Sequence, residues 1–297
     1  MTARSYLYVP GDQLDKLERA ARSSADAIIA DLEDAVAPSA KADARRTVAD
    51  WLAARTAIGR PQVWVRVNPS QHLEADVRAV TAPAMTGLCL PKVEGPEQVQ
   101  RLDDLAAAGE QRAGLAAGSI AILPLLESAA GILSARAIGE APRVVQLGLG
   151  ELDLCGELGI EPSQDESELL PIRMQVVLAS AAARLDSPVG PVSTDYRDLD
   201  ALRRSTQALK RLGFGSRWAI HPAQVPVINK VFTPTAAEVS AAQRLIDQHE
   251  AALAVGKGVF VDDHGHMADE AVIRSARRTV ARAAAASTHQ ADQDPPW

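Results

Sequence analysis

Cysteine is scarce in this chain: Cys89 and Cys155 are the two present, they sit in or beside strand-like segments, and no CxxC spacing joins them. A disulfide framework and a thiolate zinc site are therefore not indicated, and both thiols are expected to be buried. Aromatic residues make up 3% of the chain and the formal net charge is −7. That combination excludes a nucleic-acid surface, which needs a basic face and rings for base stacking. Any anionic ligand must then be met by a local cluster of cationic side chains. Long apolar runs are missing too, since none approaches the ~18 residues that span a bilayer. The opening Met1-Thr-Ala-Arg-Ser-Tyr6 lacks a signal peptide's apolar core and leads almost at once into a strand pattern. A cytoplasmic location is the expectation.

What is present is 47% hydrophobic and 23% charged residues over 297 positions, ample for one large α/β domain. Short β-type runs occur at Tyr6–Val9, Ala27–Leu32, Val63–Asn68, Gly87–Lys92, Ile120–Leu126, Val144–Leu149, Val189–Val192 and Trp218–His221. Between them, apolar residues recur at three and four over Gln13–Ser23, Ala40–Arg55, Pro96–Ala108, Ala129–Ile138, Glu168–Arg184 and Leu199–Leu212. The strand runs are spaced as parallel βα units require, because a crossover takes a dozen or more residues and a hairpin far fewer. Eight such units predict a (β/α)8 TIM barrel over residues 1–230. The seventh run is the weakest, as Pro188 and Pro191 bracket Val189-Gly190 and proline cannot donate to a ladder; a doubly wound sheet is the alternative.

Beyond His221-Pro222 the pattern gives an Ala-rich helix over Ala236–Val255, a Gly256-Lys-Gly258 break, a short β-type run Val259–Val261 and a last helix over Ala268–Ala286. These form an additional C-terminal helical and lid segment, 231–286, which covers an active face, reaches a neighbouring subunit or simply packs. The polar, Pro-ended stretch 287–297 is expected to be disordered.

Acids gather at three strand ends. Glu127 closes Ile120–Leu126, Asp153 follows soon after Val144–Leu149, and Asp31-Leu-Glu-Asp34 follows Ala27–Ala30. In a barrel the carboxyl ends of the strands converge on the active face. Carboxylates packed into one cleft repel unless a cation or a bound proton offsets them. With oxygen donors and no His or Cys beside them, Mg2+ is the natural cation, Glu127 and Asp153 being its expected ligands. Asp34 either lines the substrate side of the cleft or caps the following helix.

Arg66, inside the apolar Val63–Asn68 run, is expected to clamp a substrate carboxylate or steady an oxyanion, to pair with Glu33 or Asp34, or both. Lys92 in Leu90-Pro-Lys92 lies among carboxylates and should keep its proton, which favours an ion pair over a Schiff base. His221 reads as a hydrogen-bonded structural residue. Pro10-Gly-Asp12 ahead of a helix with Lys16, Arg19 and Arg22 is a candidate anion site, and Asp165-Glu-Ser-Glu168 a solvated first helical turn.

In order and spacing, Tyr8-Val-Pro-Gly11, Asp31-Leu-Glu-Asp-Ala35, Val65-Arg-Val-Asn-Pro69, Leu90-Pro-Lys92, Leu126-Glu-Ser-Ala-Ala-Gly131, the Asp153–Gly159 stretch, Gly213-Phe214 and Ile220-His-Pro-Ala-Gln224 resemble one family. It is that of the citrate lyase beta-subunit-like CoA-ester lyases of the HpcH/HpaI aldolase superfamily, and the resemblance runs from Arg4 to about Ala286. It implies a Mg2+-dependent barrel with Glu127 and Asp153 on the metal and Arg66 on the substrate. Members cleave or form the carbon–carbon bond between an acyl-CoA enolate and a 2-oxo acid, with malyl-CoA, citramalyl-CoA and citryl-CoA as typical substrates.

The resemblance further implies that Asp269, in Met267-Ala-Asp269, acts as acid or base from an adjoining subunit; a trimer or hexamer would follow, and failing Asp269 the loop acid Glu33 is the candidate for the proton. The resemblance turns Tyr8 and Lys16 toward the CoA nucleotide. The chain departs from the pattern in having Leu152 directly before Asp153, with the acid at Glu151, and in lacking a proline after Asp269. The rival expectations are a pyruvate-type class II aldolase on free hydroxy-oxo acids, a malyl-CoA thioesterase, and a non-catalytic CoA-binding or complex-forming subunit.

Overall fold

The computed structural model describes residues 3–55, 61–263 and 265–291, with side chains to Ala286. Two compact units divide it, one from residue 2 to Lys230 and one from Val231 on. In the first, eight parallel strands close into a barrel in sequence order. They are β1 (Ser5–Pro10), β2 (Ala27–Asp31), β3 (Gln62–Arg66), β4 (Gly87–Leu90), β5 (Ala121–Leu126), β6 (Gly148–Leu149), β7 (Val189–Gly190) and β8 (Ser216–Ala219). The ladder from Ser5–Leu7 to Arg217–Ala219 closes the ring, so no sheet edge is left. This is the expected (β/α)8 barrel, and the doubly wound alternative falls with the closure.

Large rings fill the lower barrel. Tyr6, Trp64 and Trp218 pack with Ile29, Leu123, Leu125 and Val189 around Cys89, Tyr6 meeting Trp218 edge-on at 5.2 Å between ring centroids. Gly148 makes room for this, because a Cβ there would lie 2.4 Å from Trp218 Cζ2. A barrel built on few aromatics thus spends several of them in one layer. Burial pushes the Cys89 thiol up, as expected of an inert core cysteine; Cys155 is half-buried.

From β2 to β7 the strands are shorter than the runs that suggest them, and β8 lies two residues earlier than its run. Proline trims β7 to two residues, Val189 pairing with Gly148 on one side and Ser216 on the other. The first half of the sixth run is held by single bonds, Val145 N–H to Ile122 O and Asp186 N–H to Val145 O, instead of a continuous ladder. Helices Leu73–Val80 and Glu151–Leu158 are additional to those the periodicity shows, the second being too short and too acidic at its start to stand out as amphipathic.

The second unit holds helix Ala236–Ala254, an antiparallel pair β9 (Phe260–Val261) and β10 (Met267–Ala268), and helix Glu270–Ala291. The last helix runs past Ala286, into the stretch expected to be disordered; residues 292–297 lie outside the described residues. Among the described residues no helix is long and apolar enough to cross a membrane.

Candidate active site

Strand parity decides which side chains reach the carboxyl end of the barrel. Along β2, Ala27 and Ile29 belong to the interior cluster, so Asp31 points the same way. The same count places Tyr8 above Tyr6, Arg66 above Trp64, and Glu127 above Leu123 and Leu125. These four, with Pro10, Asp34, Ala35, Leu149, Gly150, Leu152, Asp153, Val192, Trp218 and Ile220 among others, line a cavity of about 350 Å³.

Asp31 and Arg66 are register partners across β2 and β3. Arg66 Nε and Nη2 donate to the two oxygens of Asp31 at 2.7 and 2.6 Å, and Nη1 lies 3.2 Å from Glu33. Burial works against the charged guanidinium, but the hydrogen bonds to Asp31 outweigh it and the Arg66 pKa is raised. Its carbon also stands 4.8 Å from the Tyr8 ring centroid, a cation–π contact. A guanidinium has five N–H donors, and carboxylates engage three. At least two have no carboxylate partner among the described residues, on a cation that lines the cavity.

Asp31 is the functional residue that sequence reasoning passed over, having assigned Glu33 or Asp34 as the partner of Arg66. It accepts from Glu33 N–H at 2.9 Å and Ala35 N–H at 3.1 Å besides Arg66, closing the turn after β2, and the helix that follows has no side-chain cap from Asp34. Asp34 lines the cavity, more than half exposed. Glu33 is buried between Arg66 and Lys92, whose Nζ lies 2.5 Å from its Oε1. It is not among the lining residues, which weighs against a direct proton-transfer role. Lys92 forms the expected ion pair, and although burial opposes its charge, the hydrogen bond to Glu33 raises its pKa, the wrong direction for a Schiff-base amine.

Glu127 is 7% exposed, and its Oε1 accepts the Lys92 backbone N–H at 2.7 Å. Burial, opposed by that hydrogen bond and reinforced by the charge of Asp153, pushes its carboxyl up to about 7. Gly150 lets the next loop pass this close: its N–H donates to Leu126 O at 2.9 Å, and a Cβ would lie 2.8 Å from Glu127 Oε2. Asp153 stands in the first turn of helix Glu151–Leu158 and not on a strand end, exposed at the cavity. Glu151, the displaced acid, is buried in a forked pair with Arg173 at 2.6 and 2.8 Å. It lines the cavity together with Leu152.

Glu127 and Asp153 therefore line one cavity, with the charge of Asp153 bearing on Glu127. Among the described residues no group of three or more His, Cys, Asp or Glu side chains is disposed to hold a metal ion. Oxygen donors in the cavity lining suit Mg2+, which keeps several waters and takes one or two protein carboxylates plus substrate oxygens. A cation would also relieve the repulsion that burdens buried Glu127.

The remaining candidates fall elsewhere. Lys16 is exposed on helix Leu14–Ala20 and does not line the cavity. His221 is exposed, stacks on Tyr196 at 4.6 Å and caps the turn after β8 through Nδ1, which accepts from Ala223 N–H. Asp269 belongs to the second unit, where its Oδ1 accepts from Ala271 and Val272 N–H at the start of the last helix.

Residues 4–222 match the model of the HpcH/HpaI aldolase/citrate lyase family. The chain belongs to this family. A (3S)-malyl-CoA thioesterase of Cereibacter sphaeroides is 35% identical over 97% of both chains. The citrate lyase subunit beta of Leuconostoc mesenteroides subsp. cremoris is 30% identical, with 93% of this chain and 92% of that protein aligned. Among solved structures of the family, the protein CitE of Mycobacterium tuberculosis in complex with magnesium, acetoacetate and coenzyme A superposes with a TM-score of 0.76 at 27% identity, over 95% of this chain and 98% of that one.

Proposed function

We propose that the barrel cavity is the active site of a Mg2+-dependent carbon–carbon lyase. Its substrate would be a 3-hydroxyacyl-CoA of the malyl-, citramalyl- or citryl-CoA type, cleaved into, or formed from, an acyl-CoA and a 2-oxo acid. The observation that carries this is the shared cavity of Glu127, Asp153 and an Arg66 with two uncommitted donors. The relatives' names and the magnesium and coenzyme A of the M. tuberculosis structure support it.

Glu127 and Asp153 would hold Mg2+, which when bound supplies a Lewis acid at the oxygens of the oxo-acid half. In cleavage the 3-hydroxyl group gives up its proton, the adjoining carbon–carbon bond breaks, and its electron pair enters the thioester as an enolate, which takes a proton on carbon. Arg66 meets the negative charge that develops on the former hydroxyl oxygen. Leu125, Leu149, Val192, Trp218 and Ile220 give that reaction an apolar wall. Asp269 is the proposed acid and base for the carbon, supplied by a second copy of the chain in a trimer or hexamer, and Tyr8 serves the substrate from beneath Arg66.

A Mg2+-dependent assay on malyl-, methylmalyl-, citramalyl- and citryl-CoA, with 2-oxo acid and free CoA followed separately and Glu127→Ala as control, tests the reading. Oxo acid without free CoA is the expected result and names the acyl group. Free CoA alone makes the chain a thioesterase. No turnover of any ester, with cleavage of free hydroxy-oxo acids instead, makes it an aldolase.

A further inference from the structure

Lys92 stands in the left-handed region with φ 55°. Glycine is the usual occupant of such a backbone, and a strained residue persists there when its surroundings over-determine it. Three contacts do so. The Lys92 N–H donates to Glu127 Oε1 at 2.7 Å, the Lys92 carbonyl accepts from Gln98 Nε2 at 3.3 Å, and Nζ lies 2.5 Å from Glu33 Oε1 and 3.5 Å from Asp34 Oδ1. Glu33 in turn reaches Arg66 Nη1 at 3.2 Å. One residue is thus tied by its backbone to the carboxylate read as a metal ligand, and by its side chain to the carboxylate behind the substrate clamp.

We propose that Lys92 is a positioning residue with two separable tasks: its backbone N–H fixes Glu127 so that Oε2 is left for the cation, and its ammonium neutralises Glu33 so that Arg66 keeps its free N–H groups for the substrate. The proposal rests on the reading of this cavity as a Mg2+ site for a 2-oxo acid. A buried carboxylate needs a charged partner. Without the ammonium, Glu33 draws Arg66 toward itself and away from the cavity. Glycine at position 92 keeps the left-handed backbone and the N–H but deletes the charge. Valine, β-branched, opposes that backbone and so takes the N–H off Glu127.

The full chain is titrated calorimetrically with Mg2+ alone, then with pyruvate or glyoxylate, whichever the wild type binds, at saturating Mg2+. Lys92→Gly should bind Mg2+ within about threefold of the wild type, as the N–H that holds Glu127 is kept, and the oxo acid about tenfold more weakly. Adding Glu33→Gln to Lys92→Gly should restore oxo-acid binding, since a neutral amide needs no countercharge; a purely structural role would make the second change additive or worse. Lys92→Val should lose Mg2+ affinity by about 10- to 100-fold. Wild-type oxo-acid binding in Lys92→Gly, or no recovery in the double variant, overturns the ammonium's task, and wild-type Mg2+ binding in Lys92→Val overturns that of the backbone. Should Lys92→Val not fold, the glycine pair still decides the ammonium's task, and Lys92→Ala, which also disfavours the left-handed backbone but less strongly, reads the N–H by the same Mg2+ titration. A wild type that binds neither Mg2+ nor oxo acid overturns the reading of the cavity together with the proposal, whereas normal wild-type binding with unchanged variants overturns the proposal alone.

Discussion

Glu127 sits buried above β5 with Asp153 facing the same cavity, and its carboxyl is pushed up to about 7 from an ordinary 4.5. A raised carboxyl pKa means that the folded chain holds the proton more tightly than the unfolded one. Its contribution to stability is therefore greatest below about 4.5 and is lost as the pH climbs toward 7. Glu127→Gln removes that loss while keeping an acceptor for the Lys92 N–H. In the presence of a chelator the variant should be more stable than the wild type at pH 8 by roughly 1–3 kcal/mol, a gain of several degrees in melting temperature that shrinks toward pH 5. Mg2+ should raise the wild-type melting temperature and leave the variant's unmoved. Scanning calorimetry at both pH values checks this, and a variant that melts lower at pH 8 would show that the carboxylate carries no such strain.

At this scale the sequence shows acids and an arginine at strand ends but not how they are shared. Parity along Ala27-Ile-Ile-Ala-Asp31 and Val63-Trp-Val-Arg66 puts Asp31 and Arg66 on the same side of neighbouring strands, and that count singles out Asp31 over the two acids after it. Register is the missing piece, because which residue of β2 lies opposite Arg66 depends on the shear of the closed barrel. Asp153 is displaced for a local reason. The strand ends at Leu149 and Glu151 starts a helix, so the proposed ligand rides on a first helical turn.

Between elements, helix Pro96–Ala113 is fastened to the barrel through Glu110. Its carboxylate accepts from Gly118 and Ile120 N–H at 2.9 and 2.8 Å and from Arg143 at 2.6 and 3.0 Å, joining the helix end to the start of β5 and to the loop before the sixth run. Burial alone would raise its pKa, but the Arg143 hydrogen bonds and the two backbone donors bring it down to about 2. A depressed carboxyl pKa contributes stability that is complete above the unfolded value near 4.5 and is lost as the pH falls toward 2. Glu110→Gln should cost roughly 2–3 kcal/mol at pH 7, and its stability should converge on that of the wild type as the pH drops through this window. Urea denaturation at pH 7, 4 and 3 reads the convergence, and parallel curves for the two proteins would remove the ionic fastening.

The long helices and the eight strand runs were legible because each carries its own period, whereas Leu73–Val80 and Glu151–Leu158 span about two turns and show too few repeats of a 3.6-residue pattern to be told from loop. The hairpin of β9 and β10 was half legible: Val259–Val261 reads as a strand, but Met267-Ala268 gains its identity from pairing with it.

For the whole molecule, the second unit presents exposed apolar side chains on its hairpin. Val261 and Met267 are register partners in the hairpin and are 67% and 72% exposed. Asp269 follows Met267 by two residues at the head of the last helix. A second copy of the chain is the proposed cover for these exposed apolar side chains, which would set Asp269 at the mouth of that copy's barrel. If each site combines Glu127 of one chain with Asp269 of another, two variants that are inactive alone can restore each other. Glu127→Ala keeps a competent Asp269, and Asp269→Asn keeps a competent metal site. Mixed in equal amounts and reassembled at random, half the barrels and half the donors are intact, so about a quarter of the sites should regain both and the activity should rise to about a quarter of the wild type. Should Asp269 serve its own barrel, every site in the mixture lacks one group and the activity stays at the level of the separate variants. If Asp269→Asn is by itself fully active, the proton must be carried by another group.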